Sequence, residues 1–138
     1  MIIADTGFFF ALANQDDAFH PIAVAAMTRL KEPLMTTHPV LTETCYLLMA
    51  RGGDRAQSAF LRSVGEGFIE VFTLDSLHFL RMAELIERYR DLPMDMADAS
   101  LVVLAEQLGH GRILTVDRRD FNVYRWNDRN LFENQLMR

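Results

Sequence analysis

The sequence predicts an α/β fold, one domain over residues 1–138 with a parallel central sheet of four to five strands and helices on both faces. Three observations lead there. A chain of 138 residues with 50% hydrophobic content has enough apolar material for one well-buried core. Two short apolar runs, Met1–Ala4 and Arg112–Val116, each end in an aspartate and have the length of buried strands. Between them, windows of helical periodicity alternate with short extended pieces, a pattern that joins parallel strands through helical crossovers.

Taken in order, Met1-Ile2-Ile3-Ala4 reads as a strand ended by the turn Asp5-Thr6-Gly7. From Ala18 to Lys31, Phe19, Ile22, Ala23, Ala26, Met27 and Leu30 recur at the spacing of one helical face. Leu34-Met35-Thr36 fits a strand, and Pro39 to Ala50 a helix with proline in its first turn. Arg51-Gly52-Gly53 stops that helix. Asp54 can cap the next, which runs to about Val64 before Gly65 and Gly67. Phe68–Phe72 reads as a strand, and a long helix begins at Asp75 or Ser76 and continues through Tyr89. Asp91-Leu92-Pro93 breaks it, Asp95 to Leu108 forms another, and Gly109 and Gly111 precede the strand that ends at Asp117. In sheets of this kind ligands bind beyond the carboxyl ends of the strands, where strand order reverses. Asp5 and Asp117 occupy two such ends.

Composition narrows the possibilities. No run of eighteen apolar residues is present, so no membrane partner is expected. The apolar stretch from Phe8 to Ala13 lacks the basic lead of a signal peptide and follows Asp5, which favours a cytoplasmic protein. A single cysteine, Cys45, excludes an intrachain disulfide and a cysteine-based zinc site, and it reads as a small core residue. The net charge of −5 is unusual for a nucleic-acid binder. If Asp5, Glu43, Asp98 and Asp117 surround a cation, the rest of the surface is nearly neutral.

An aspartate ending a strand is ordinary taken alone, because Asp is favoured in turns and as a helix cap. The helical acids are harder to set aside. Asp98 shares a face with Leu101, Val102 and Ala105, and Glu43 shares one with Val40, Tyr46, Leu47 and Ala50. Both are expected to point inward. An ionised carboxylate on an apolar face costs several kcal/mol unless a cation, strong hydrogen bonds or a function retains it. No Lys or Arg lies between Asp95 and Arg112, and Arg51 and Arg55 lie beyond the end of the Glu43 helix. Asp95 is read as auxiliary, since the helix dipole explains a first-turn acid equally well. Crowded carboxylates raise one another's pKa until a hard cation neutralises them, and ligation by oxygen alone points to Mg²⁺ or Mn²⁺. Zinc lacks suitably placed His or Cys, and Ca²⁺ would use closely spaced loop acids. Such a site suits hydrolysis of a phosphodiester.

The residues Asp5-Thr6, Glu43, Asp98-Ala99 within Leu92–Ala99, and Thr115-Val116-Asp117-Arg118-Arg119-Asp120-Phe121 resemble, in order and spacing, the successive motifs of PIN-domain nucleases. Each motif is short, whereas four in order on an α/β pattern are a strong signal. The likeness is greatest to the VapC toxins of toxin-antitoxin pairs. That resemblance implies a central first strand, a Mg²⁺ or Mn²⁺ site at its carboxyl edge, cleavage of structured RNA such as tRNA, homodimers, and inhibition by a VapB antitoxin. It implies that Asp5, Glu43, Asp98 and Asp117 are catalytic, with Asp5, Asp98 and Asp117 on the metal. Thr6 and Thr115 then fit auxiliary hydroxyl positions. Gly7 departs from the pattern, standing where a hydroxyl residue is common, and Asp120 is read as a turn cap.

His20, His38, His78 and His110 are scattered without ligand spacing and read as cap, turn or surface residues. Arg51, Arg55, Arg118 and Arg119 are expected in turns flanking the site, where guanidinium groups can hold RNA phosphates. Of Phe8, Phe9 and Phe10, at least one belongs in the core. Trp126 has no assigned role. An RNA endonuclease toxin is the leading reading. The alternatives are a housekeeping PIN nuclease without an antitoxin and a non-catalytic RNA- or protein-binding module, which would have no reason to keep inward, unpaired acids.

Overall fold

In a computed structural model that describes residues 1–136, the opening apolar run forms β1 (Ile2–Ala4), each residue fully buried. The last two residues of the expected 1–138 domain, Met137 and Arg138, lie outside the described residues. After β1 come α1 (Thr6–Ala13), α2 (His20–Leu30), β2 (Leu34–Thr37), α3 (His38–Gly65), β3 (Ile69–Phe72), α4 (Ser76–Arg88) and α5 (Met96–Leu108). The chain then forms β4 (Arg112–Leu114), α6 (Arg118–Val123), β5 (Arg125–Trp126), β6 (Asn130–Leu131) and β7 (Glu133–Asn134).

Five strands form one parallel sheet in the order β3-β2-β1-β4-β7, with β1 at its centre. The chain steps outward from β1 to β3, then returns across β1 to β4. Right-handed crossovers therefore carry α1 to α3 and α4 to α5 over opposite faces of the sheet. The order reverses beside β1, and sheets of this kind bind ligands in the crevice outside the strands' carboxyl ends at that place.

Most expected elements lie within a residue or two of their predicted bounds. The predicted stop at Arg51-Gly52-Gly53 is present as a break within α3: Gly53, at φ 78° and ψ −170°, is non-helical and divides it into two helical segments joined by a kink. Two regions differ more. The turn expected after Asp5 is the start of α1, which buries Thr6, Phe8, Phe9 and Ala11 and so lacks the polar stripe that marks a surface helix. The turn expected around Asn122 is α6, followed by a hairpin of β5 and β6 and then the edge strand β7. Trp126 closes that hairpin by donating its indole N–H to the Leu131 carbonyl at 3.1 Å. No helix among the described residues is long and apolar enough to cross a membrane.

Candidate active site

Asp5 follows β1 directly and caps α1. Its Oδ1 accepts from the Thr6 amide at 2.7 Å, and its Oδ2 accepts from the Thr115 hydroxyl at 2.9 Å. Only 7% of Asp5 is exposed. Burial is the main reason its carboxyl is pushed up from 3.8 to about 6; the Thr6 and Thr115 hydrogen bonds oppose the shift, and the charges of Glu43 and Asp117 add to it. Thr115 is fully buried, and its hydroxyl also accepts from the Asp117 amide at 3.0 Å, so one side chain ties together the acids beyond β1 and β4. Asp117 in turn caps α6, accepting from the Asp120 amide at 3.0 Å. The cap of that segment is thus Asp117, not Asp120 as expected. Asp120 sits in the first helical turn, its carboxyl held up by burial and by Asp117.

Asp95 and Asp98 form a reciprocal cap at the start of α5. The Asp98 amide donates to Asp95 at 2.8 Å, and the Asp95 amide donates to Asp98 Oδ2 at 3.3 Å. Asp98 is half-buried on the face expected for it, above buried Leu101, Val102 and Ala105. Burial first, then the charges of Asp95 and Asp5, push its carboxyl up to about 8. Tyr124, which the sequence reading did not name, is completely buried beneath it and points its hydroxyl at Asp98 Oδ2, 3.4 Å away. Only the aromatic pattern around Phe121 and Tyr124 could have drawn notice to it.

Glu43 is half-buried at the rim rather than inward. The buried face of α3 is Val40, Leu41, Thr44 and Leu48, whereas Tyr46 and Ala50, expected beside Glu43 on a core face, are exposed. The helix is apolar on more than its packed side, which rotated the inferred face. Glu43 and Asp95 border an open groove of about 690 Å³ lined by His38, Tyr46, Phe79 and Met96.

None of the four acids takes part in a salt bridge among the described residues. No three Asp, Glu, His or Cys side chains among those residues stand close enough to encage an ion unaided. What the acids offer an ion is carboxylate oxygen, and neither Asp5 nor Asp98 has a basic partner among the described residues. That donor set fits a hard cation of the Mg²⁺ type, which takes one or two carboxylates and keeps several waters.

A model of the PIN domain matches residues 2–127. The chain belongs to the PIN-domain family. It is 29% identical over 124 residues to ribonuclease VapC26 of Mycobacterium tuberculosis, spanning 90% of this chain and 92% of that protein. The crystal structure of VapC20 from the same organism, described as a sarcin-ricin loop cleaving toxin, matches with a TM-score of 0.81. The two are 25% identical over 86% of this chain and 92% of that one. In sequence and fold this is a VapC-like PIN domain.

The PIN domain's remaining expected residues are less gathered. Thr6 is buried, and its hydroxyl has no hydrogen-bond partner among the described residues. Arg118 and Arg119 are exposed on the first turn of α6, next to Asp117, in a helix rather than a turn. Arg51 lies beside Phe10, Ala13 and Asn14 at the far end of α1 from Asp5, two turns along α3 from Glu43. Eight helical residues span about 12 Å, so Arg51 does not flank the acids, and Arg55 lies past the kink beyond it. Of the histidines, His78 completes the α4 capping box, His20 bonds the Ala11 carbonyl and His110 accepts from the Arg112 amide.

Proposed function

We propose that this PIN domain is a metal-dependent endoribonuclease, the toxin of a VapBC-type pair, that hydrolyses phosphodiester bonds in structured RNA. The observation that carries the reading is that Asp5 and Asp98, near enough for the charge of Asp5 to act on Asp98, are desolvated without a basic partner, while the Thr115 hydroxyl ties Asp117 to Asp5. A fold keeps such charges when a cation offsets them.

Asp5, Asp98 and Asp117 would hold Mg²⁺ or Mn²⁺. When bound, that ion supplies charge neutralisation at a phosphoryl oxygen and acidifies water. The Thr115 hydroxyl keeps Asp5 and the start of α6 in fixed relation, and Asp95 sets the first turn of α5. Glu43, half-buried and near enough for its charge to act on Asp5, would orient the attacking water and accept its proton. Water oxygen then bonds to phosphorus as one P–O ester bond breaks, and the departing oxygen takes up a proton. Arg118 and Arg119 present guanidinium groups for the flanking phosphates.

Two structured RNAs serve as probes: tRNA, expected from the resemblance, and the sarcin-ricin loop, which VapC20 is described as cleaving. A groove of about 370 Å³ lined by Phe9, Leu12, Met27, Phe60 and Phe68 favours a VapB-like partner, and exposed Tyr46, Phe79 and Met96 favour a homodimer. Co-purification with a VapB-like protein and light scattering test these two associations. For the reaction, each labelled RNA is incubated with wild type and Asp98→Asn, in Mn²⁺ and in EDTA. Cleavage confined to wild type with Mn²⁺ is expected, with a loss of at least 100-fold in the variant, about the scale of one electrostatic contribution to the transition state. Equal cleavage in all conditions, or none of either RNA, contradicts it.

A further inference from the structure

The edge strand β7 reaches the acid cluster through a single side chain. Parallel pairing of β4 with β7 sets Arg112 opposite Glu133 and Ile113 opposite Asn134, and the Gln135 amide donates to the Ile113 carbonyl at 2.7 Å. One residue past the end of β4, Thr115 has both its backbone groups met by the Asn134 side chain. Its N–H donates to Oδ1 at 3.4 Å, and its carbonyl accepts from Nδ2 at 3.0 Å. Oδ1 also accepts from the Leu136 amide at 3.1 Å. Two facing N–H donors and one facing carbonyl leave only one orientation of the amide. It acts as one more peptide of the ladder, supplied by a side chain.

Thr115 is the residue whose hydroxyl donates to Asp5 and accepts from the Asp117 amide. Its side chain can hold both only while its backbone is fixed. We infer that Asn134 is a positioning residue for the metal site: by clamping the backbone of Thr115 it holds Asp5 and Asp117 at the spacing the ion requires. The inference rests on the metal-site reading above. Outer partners that orient ligands are worth about 10–100-fold in metal affinity.

The test is Mn²⁺ binding to the full chain by calorimetry, with the metal-free melting temperature recorded for each protein. Asn134→Ala and Asn134→Leu, the second keeping the side chain's bulk without its hydrogen bonds, are compared with Thr115→Val and with the double variant Asn134→Ala/Thr115→Val. Both Asn134 variants should bind Mn²⁺ about tenfold or more weakly. The double variant should bind no more weakly than Thr115→Val, because Asn134 acts through Thr115. Wild-type affinity in the Asn134 variants, with only the melting temperature lowered, overturns the inference, as does an additive double variant. If wild type itself binds no Mn²⁺, the metal-site reading fails and takes the inference with it, a result distinct from equal binding by wild type and the Asn134 variants.

Discussion

Gly7 stands one residue past Thr6, where the resemblance leads one to expect a hydroxyl. A Cβ built there would overlap Cγ2 of Val116, the residue just before Asp117. Close approach of α1 to the end of β4 explains the glycine. Gly7→Ala is expected to destabilise by about 1–3 kcal/mol, the usual range for overpacking, and Val116→Ala in the same chain should recover most of it. Denaturant unfolding of the three proteins checks this, and an unperturbed Gly7→Ala would contradict it. Asp5 and Asp117 were legible because each ends an apolar run and strand ends gather at one edge. Asp98 was legible from its helical face, and burial among Leu101 and Val102 agrees with it. The orientation of Glu43 was not legible, because exposed Tyr46 and Ala50 mimic a core stripe. Tyr124 and Asn134 escaped notice because their importance lies in one hydrogen-bond partner far along the chain, and spacing carries no trace of that.

At the scale of elements, three helix N-termini deliver the acids. Asp5, Asp95 and Asp117 cap α1, α5 and α6, so the same carboxylates that end orphan amides also crowd the crevice. Capping and repulsion can be separated at Asp95. Asparagine caps as well as aspartate but carries no charge, while alanine does neither. Asp95→Asn is therefore expected to raise the melting temperature of the metal-free protein at pH 8, whereas Asp95→Ala should be about 1 kcal/mol less stable than Asp95→Asn. Equal losses in both would show that Asp95 exerts no repulsion on Asp98. Amphipathic elements such as α4 were readable, since one stripe faces the core. The buried helix α1 was not, because burial on most sides erases the period, and the two-residue strands β5 to β7 are too short to leave a pattern.

For the whole molecule, a net charge of −5 is consistent with an RNA-cutting role only if the acids are offset locally. The metal-free protein should show that tension as a dependence on pH. Asp5 and Asp98 titrate near 3.8 when unfolded and near 6 and 8 when folded. Above pH 4 the unfolded chain gives up protons that the native state retains, so stability falls as pH rises and levels off above about 8. Two groups shift the other way: Glu32, held down to about 2 chiefly by Arg112, acts only in stronger acid outside that window, while His110, held low first by burial, opposes the decline within it as one group against the two acids. Thermal unfolding from pH 5 to pH 8.5, with Mn²⁺ and with EDTA, therefore tests the cluster most directly. The melting temperature should decline across that range in EDTA, and Mn²⁺ should reverse the decline at the alkaline end, by about 2.7 kcal/mol when the ion is at a hundred times its dissociation constant. A flat profile in EDTA, or no rise with Mn²⁺ at pH 8.5, would contradict a metal site built from Asp5, Asp98 and Asp117.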